Sequence, residues 1–467
     1  MNTAGLYRHS LALLTDLYQL TMAYGYWKLG VAQKEAVFYL SFRRNPFKGG
    51  FSIACGLEAA IDYLNQLRFS DEDLDYLSTL TGNDGRPLFE KDFFEYLRKL
   101  EFACDVDAIP EGTVVFPNEP LIRLRGPILQ CQILETPLLN LINFQTLIAT
   151  KAARVCLATR GDPVLEFGLR RAQGIDGALA ASRAAFVGGC AATSNVLAGK
   201  LYGIPVRGTH AHSWVMSFDS EIEAFKAYAA VMPNNCVFLV DTYDTLEGVR
   251  NAVEVGKKLR AEGFEMAGIR LDSGDLAYLS IEARRILDEN GFPKAAIVAS
   301  NDLDETVISS LKEQGALINI WGVGTNLATG GTQPALGGVY KLSAIRERGQ
   351  WQYKVKLSEQ SLKISTPGIL NVRRYRKDDE FVADMIYDEN TGIRQIPRIV
   401  DAADMTRRKT LDPVMPHEDL LVPIFRGGRC VYQAPALAAV RRRTGEQLAK
   451  FHGGIKRFVN PHQYPVG

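Results

Sequence analysis

Two of the chain's six histidines lie two positions apart in Gly208-Thr209-His210-Ala211-His212-Ser213-Trp214. On an extended strand that spacing puts both imidazoles on one face, and two neutral imidazoles are half of a metal site. The sequence implies no third ligand, so three readings stay open: metal ligation, a nucleophilic or acid–base role for one of the pair, and ordinary packing. A second cluster, Ile269-Arg270-Leu271-Asp272-Ser273-Gly274-Asp275, sets a cation, two carboxylates and a glycine in one short turn before a helical stretch. Ser273 or Asp275 can cap that helix. Capping leaves Arg270 and Asp272 unexplained, because they share one face of a strand that should otherwise be apolar, and that points to a site. A third cluster, Gly322-Val323-Gly324-Thr325-Asn326, is a Gly-rich turn of the kind whose backbone N–H groups bind phosphate. Asp241-Thr242-Tyr243-Asp244-Thr245 and Ser300-Asn301-Asp302-Leu303-Asp304 read as helix starts, with Asp244 and Asp304 as caps.

Each cluster sits at the end of a short apolar run. From about residue 160 the chain alternates such runs with amphipathic stretches: Pro163–Phe167, Ala191–Ser194, Pro205–Gly208, Val237–Asp241, Ala267–Asp272, Ala296–Ser300 and Ile318–Val323, with helical periodicity over Leu246–Glu262 and Leu276–Asn290. This βαβα texture predicts an α/β protein built on an irregular (β/α) barrel, whose functional groups project from the C-terminal ends of the strands. Residues 1–150 read as an N-terminal α/β domain, with a helix-compatible stretch at Leu11–Trp27, a strand at Ala36–Phe42 and β-like runs near Thr113–Phe116. Residues 151–337 form the barrel. Residues 338–467 read as a C-terminal β-containing unit that packs on the N-terminal domain, with strands at Val339–Leu342, Trp351–Leu357 and Phe381–Tyr387.

At 467 residues the chain exceeds what one hydrophobic core usually serves. Its 54 Lys and Arg against 53 Asp and Glu create no general field for nucleic acid or an anionic membrane, so any phosphate must be held locally. Seven scattered cysteines without a C-x-x-C pair suit a reducing compartment, and no apolar run reaches the length of a membrane span. These features predict a cytoplasmic protein that engages neither membrane nor nucleic acid. Without a G-x-x-x-x-G-K-[ST] loop or a strand-bound G-x-G-x-x-G, any ATP binds outside those frameworks.

Six motifs in order, Leu14-Thr-Asp-Leu-Tyr-Gln-Leu-Thr-Met22, Glu166-Phe-Gly-Leu-Arg-Arg171, Gly208–Ser213, Asp241–Thr245, Ile269–Asp275 and Gly322–Asn326, resemble the nicotinate phosphoribosyltransferases. The resemblance implies transfer of a phosphoribosyl group from phosphoribosyl pyrophosphate to nicotinate, coupled to ATP hydrolysis and assisted by Mg2+, in a homodimer with shared active sites. It also implies residue roles. Tyr18, from the neighbouring subunit, and Phe167 sandwich the pyridine ring; Arg170 binds the 5′-phosphate; Arg270 and Thr209 contact nicotinate. Asp272 holds the ribose hydroxyls or the pyrophosphate-bound magnesium, Gly322, Gly324 and Thr325 serve phosphate, and His212 is the phosphorylated histidine. His210 receives no role. Where a nicotinamide-using relative has an aspartate, Ala192-Thr193-Ser194-Asn195 offers neutral groups, and Ser194 tolerates a substrate carboxylate. Thr329-Gly-Gly-Thr332 is similar to the phosphate turn of flavodoxin-like phosphoribosyltransferases but lacks the adjacent acids upstream. The competing expectations are a nicotinamide phosphoribosyltransferase, a quinolinate-using enzyme, a catalytically silent metabolite-binding relative, and a metal-dependent barrel enzyme using His210 and His212.

Overall fold

The computed structural model describes residues 10–357, 365–401 and 404–467. The chain divides into two compact units, one made of residues 1–147 and 335–467, the other of residues 148–334.

The first unit is organised on a seven-stranded sheet in the order Gln350–Tyr353, Gly338–Glu347, Glu35–Phe42, Ile122–Pro127, Asp105–Ala108, Val422–Arg426, Arg429–Cys430, with antiparallel pairing throughout. The region after residue 338 belongs to the same compact unit as the N-terminal residues. It supplies four of these seven strands and places Tyr340 and Phe425 in one apolar core with Phe38 and Leu124, and it also forms a three-stranded sheet of its own with a small core of Tyr375, Ala383, Met385, Ile399 and Leu411. Strand Glu35–Phe42 is hydrogen-bonded on both edges and is buried over almost its whole length, which suits its unbroken apolar run.

A charged knot lies inside this unit. Arg374, fully buried, donates to both carboxylate oxygens of the equally buried Asp384, at 2.9 Å from Nε and 2.5 Å from Nη2, and to Gln447 and Val114 O. The Phe381 and Phe451 rings lie 5.1 and 5.2 Å from its guanidinium carbon. Tyr464 donates its hydroxyl to Asp384 at 2.9 Å. Glu119 is buried beside this group, and burial together with the Asp384 charge and a hydrogen bond between the two carboxyls pushes its pKa well above the glutamate range. A protonated Glu119 is the donor that lets two carboxyl groups meet without repulsion.

In the second unit the predicted runs become six parallel strands: β1 (Val164–Glu166), β2 (Ala192–Thr193), β3 (Val237–Leu239), β4 (Gly268–Leu271), β5 (Ala296–Ala299) and β6 (Ile320–Val323), in the spatial order β2-β1-β6-β5-β4-β3. The remaining run, Pro205–Gly208, joins β2 through one parallel bridge, Thr193 to Val206. Among the described residues no backbone ladder closes the ring between that run and β3. A side chain spans the gap instead: the His210 Nε2 accepts the outward N–H of Leu239 at 3.3 Å. Helices Thr245–Ala261, Leu276–Glu289 and Glu305–Glu313 follow β3, β4 and β5, capped by Asp244, Asp275 and Asp304, each of which accepts backbone N–H groups of the first turn.

The raised pKa of Glu119 makes the first unit sensitive to alkali. A carboxyl whose folded pKa lies above its unfolded value gives stability that is complete below the unfolded pKa and is lost as pH rises to the folded one, at about 1.4 kcal/mol per pH unit in between. As pH rises above the ordinary glutamate range, the thermal midpoint of the wild type should therefore fall more steeply than that of Glu119→Gln, whose amide keeps a donor for Asp384. Parallel profiles would show that Glu119 is not the titrating group.

Candidate active site

Strand register places the site residues in one layer. The ladders pair Leu239 with Arg270, Leu271 with Ala299, Ala299 with Trp321, Gly322 with Leu165 and Leu165 with Ala192. Side chains alternate along a strand, so Asp241, Asp272, Ser300 and Gly322 come side by side on one face, with Arg270 two residues before Asp272 and with Phe167 and Ser194 two residues beyond Leu165 and Ala192 on the same face.

Arg270 is the hub. Its Nε donates to Ser300 Oγ at 2.8 Å, Nη1 to Thr209 Oγ1 at 3.2 Å and Nη2 to Asp272 Oδ1 at 3.0 Å. The Ser300 hydroxyl in turn donates to Asp272 Oδ1. Burial would raise the Asp272 pKa, but the Ser300 hydrogen bond and the Arg270 and His212 charges outweigh it and hold the carboxyl below its ordinary range. Behind Asp272 stands Asp241, which opens the Asp241–Thr245 motif but to which the sequence reading gave no role of its own. Its Oδ2 accepts the Asp272 N–H at 2.8 Å and the Ser273 hydroxyl at 2.6 Å, while its buried Oδ1 has no hydrogen-bond partner.

The two histidines part company. His212 opens the helix His212–Met216, keeps a 40% exposed side chain, and turns Nε2 toward Asp272 Oδ2 at 3.7 Å and Asp241 Oδ1 at 3.9 Å, with Nδ1 3.2 Å from Thr242 Oγ1. His210 lies against Tyr228 and Phe225, with its ring committed to Leu239 N–H and to Ala211 O. Burial, helped by the Arg270 and His212 charges, holds its pKa below the usual histidine value despite the Ala211 hydrogen bond. A neutral ring with Nδ1 protonated satisfies both contacts. The H-x-H spacing thus yields one site residue and one structural residue, and the two rings do not face a common centre.

Phe167 forms the apolar wall, its ring 5.7 Å from the Arg270 guanidinium carbon. It is held from both sides. Its N–H donates to Val323 O at 2.9 Å, and Gly322 leaves room for the ring, since a Cβ there would come within 2.7 Å of Cδ2. Gly322 therefore serves packing, being buried inside β6, whereas Gly324 and Thr325 stand at the strand exit, where the short helix Thr325–Ala328 begins. Glu166, 1% exposed, braces the same loop by accepting from Gly168 N–H, from Ser182 at 2.8 Å and from Thr193 at 2.6 Å. The Ser194 hydroxyl makes no hydrogen bond with another described residue, unlike its neighbours Thr193 and Asn195. Arg170 is exposed on the turn Leu169–Arg171. Tyr18 lies in the first unit on helix Leu17–Lys28, with 48% of its surface exposed.

Sequence reasoning missed the roles of Asp241, Ser300 and Glu166. The available signal was their position at the ends of apolar runs, where a polar residue facing inward needs a reason.

A flat aromatic wall beside a guanidinium with spare donors suits a planar heterocycle bearing an acceptor, and the neighbouring carboxylates suit sugar hydroxyls. That combination at the mouth of a parallel barrel marks the class of barrel phosphoribosyltransferases. The family described as Nicotinate phosphoribosyltransferase (NAPRTase) matches residues 163–366, with its N-terminal domain matching 13–143 and its C-terminal domain 371–467. The nicotinate phosphoribosyltransferase of Bacillus subtilis (strain 168) is 44% identical over 464 residues, covering 98% of this chain and 92% of that protein. The human enzyme of the same name is 35% identical over 513 residues, covering 97% and 94%. The crystal structure of human nicotinic acid phosphoribosyltransferase superposes with a TM-score of 0.83 at 33% identity, covering 97% of both chains. The chain belongs to the nicotinate phosphoribosyltransferase family.

The packing at Gly322 is directly testable. Gly322→Ala inserts a methyl where the Phe167 ring lies, at a typical overpacking cost of about 1–3 kcal/mol. Nicotinate binding followed by calorimetry should weaken about ten-fold or more as the ring is displaced. Unchanged affinity in a folded variant would mean that the wall at Phe167 does not touch the ligand.

Proposed function

We propose that this enzyme joins nicotinate to phosphoribosyl pyrophosphate, releasing pyrophosphate and forming nicotinate mononucleotide in the salvage of NAD, with ATP hydrolysis coupled through His212. The observation that carries the reading is the hydrogen-bonding of Arg270. A guanidinium has five N–H donors; three are committed to Ser300, Thr209 and Asp272, which leaves two, one on each terminal nitrogen, beside the Phe167 ring. Donors without an acceptor next to an aromatic face select a flat ring that carries a carboxylate. Past β2, Ser194 offers a neutral hydroxyl at a position where an aspartate would repel the acid.

The chemistry asks for little proton transfer. As the bond from the ribose C1 to pyrophosphate breaks, positive charge grows on the sugar and negative charge on the leaving group, while the pyridine nitrogen supplies the electron pair for the new bond. Phe167 and Arg270 orient that nitrogen and lower the entropic part of the barrier. Asp272 stands where it can hold the ribose hydroxyls and face the developing cation. Arg170 takes the 5′-phosphate, and the Gly324–Thr325 turn offers N–H groups to phosphate oxygens. Mg2+ fits this site as an ion bound mainly through the pyrophosphate, because such ions use one or two protein carboxylates and keep substrate oxygens and water as their other ligands. Asp272 would hold it with Asp241 behind, where a buried carboxylate oxygen lacks a partner. Bound there, it would neutralise charge on the leaving group.

His212 is the group for phosphoryl transfer from ATP: its side chain is 40% exposed, and its two nitrogens face Thr242 on one side and the Asp241–Asp272 pair on the other. Phosphorylation adds negative charge next to two carboxylates, and that repulsion favours a rearranged site that takes up phosphoribosyl pyrophosphate more tightly. The reading includes a homodimer in which Tyr18 of the neighbouring subunit covers the open face of the pyridine. In support, Leu14, Leu17, Tyr18 and Met22 are each more than 40% exposed on or beside one helix, an apolar grouping suited to burial. We place the enzyme in the cytoplasm, in line with the absence of disulfides among the described residues and of any helix long and apolar enough to cross a membrane.

Two assays test this. With nicotinate, nicotinamide and quinolinate in competition, nicotinate mononucleotide should be the main product; preferential use of either other pyridine would overturn the substrate assignment, and no turnover at all would leave only a metabolite-binding role. His212→Ala should retain basal transfer but lose the stimulation by ATP. An equal ATP stimulation in variant and wild type would remove His212 from the coupling.

A further inference from the structure

Ser300 occupies a position that neither its sequence context nor the family motifs single out. It follows β5, and the pairing of Leu271 with Ala299 sets it directly across from Asp272, where its own N–H donates to Leu271 O at 2.9 Å. The residue is 3% exposed, so its hydroxyl meets protein rather than water. The direction of its two hydrogen bonds is forced. A guanidinium only donates and an ionised carboxylate only accepts, so the hydroxyl must accept from Arg270 Nε at 2.8 Å and pass its single proton to Asp272 Oδ1.

That arrangement has a consequence for the fork of Arg270. With Nε held by Ser300, the guanidinium cannot rotate about its own stem, and the two terminal nitrogens stay bound to Thr209 and Asp272 through one N–H each. Removing the hydroxyl frees Nε–H to seek another acceptor, and Asp272, already bonded to Nη2, offers one. A guanidinium that turns its Nε and Nη2 edge fully onto Asp272 carries its spare N–H groups away from the Phe167 face. We infer that Ser300 is a specificity-determining positioning residue, which acts through Arg270 to keep two donors aimed at the carboxylate of the pyridine substrate.

The inference rests on nicotinate being the substrate, and one set of assays separates the two. Ser300→Ala removes the hydroxyl without adding volume. It should raise KM for nicotinate about ten-fold or more, the effect of a lost hydrogen bond to a charged group, while KM for phosphoribosyl pyrophosphate, which Asp272 serves, rises by a smaller factor. The ratio of kcat/KM for nicotinate over nicotinamide should shrink by a similar factor, because an amide depends less on a charged fork. Ser300→Cys, close in size but a weak donor, should fall between Ala and wild type, and it carries the test if the alanine variant does not fold. An unchanged nicotinate KM, an unchanged acid-to-amide ratio, or equal losses for both substrates alongside a lower thermal midpoint would each overturn the role of Ser300. No turnover of nicotinate by the wild type would instead overturn the functional reading.

Discussion

The ion pair between Arg270 and Asp272 is the constraint around which the barrel mouth is arranged. Both side chains are largely withdrawn from water, with 16% and 28% exposure, and such a pair stabilises only when its remaining donors and acceptors are satisfied. Ser300 and Thr209 meet that need on the guanidinium side, and Ser300 again on the carboxylate side. Asp241 secures the backbone of Asp272 from the next strand. Two N–H groups of Arg270 are left over, and these are the donors that the proposed function assigns to the substrate carboxylate.

Parallel register converts this local arrangement into a site. Each strand contributes one residue to the layer at its exit, and neighbouring strands contribute residues that are 20 or more positions apart in the chain. The layer tolerates a bulky ring only where a neighbour gives way. Gly322 is that neighbour: β6 carries no side chain at the point where Phe167 leans in from β1. Glu166, one residue earlier, turns away from the interior and fixes the loop with three hydrogen bonds, so the ring is aimed by contacts on both sides of the strand. A preorganised wall reduces what the ligand must spend in ordering the site.

Much of the barrel was legible in the sequence because each βα unit announces itself locally. A short apolar run, a polar cluster and an amphipathic stretch need no knowledge of the rest of the chain, and the seven runs became six strands and one bridged segment. The caps at Asp244 and Asp304 were legible for the same reason. Pairing across distance was not. Residues 338–467 showed strands, but an alternating strand reveals only that it needs a partner, and the partner of Gly338–Glu347 is Glu35–Phe42, some 300 residues away. Ser300 and Asp241 were missed on the same physical ground: each matters through a residue on the adjacent strand, and register between strands is set by the assembled sheet. Arg270 and Asp272 stood out because both lie on one strand two positions apart, where the alternation rule alone brings them together.

The histidine pair shows why spacing is weaker evidence than environment. His210 and His212 share a motif and a sequence face, yet one ring replaces a missing ladder bond at the barrel's open seam and the other looks onto two carboxylates. The first must stay neutral, because protonating Nε2 would destroy its acceptor, and its burial among aromatic rings enforces that state. The second must remain reachable, and its exposure supplies that. The seam where the barrel fails to close by backbone pairing therefore lies within two residues of His212, the imidazole we propose for phosphoryl transfer. A segment held to β3 by one side-chain bond can shift at lower cost than one held by a full ladder, and the motif carrying His212 is the part of the site best placed to move when its charge changes.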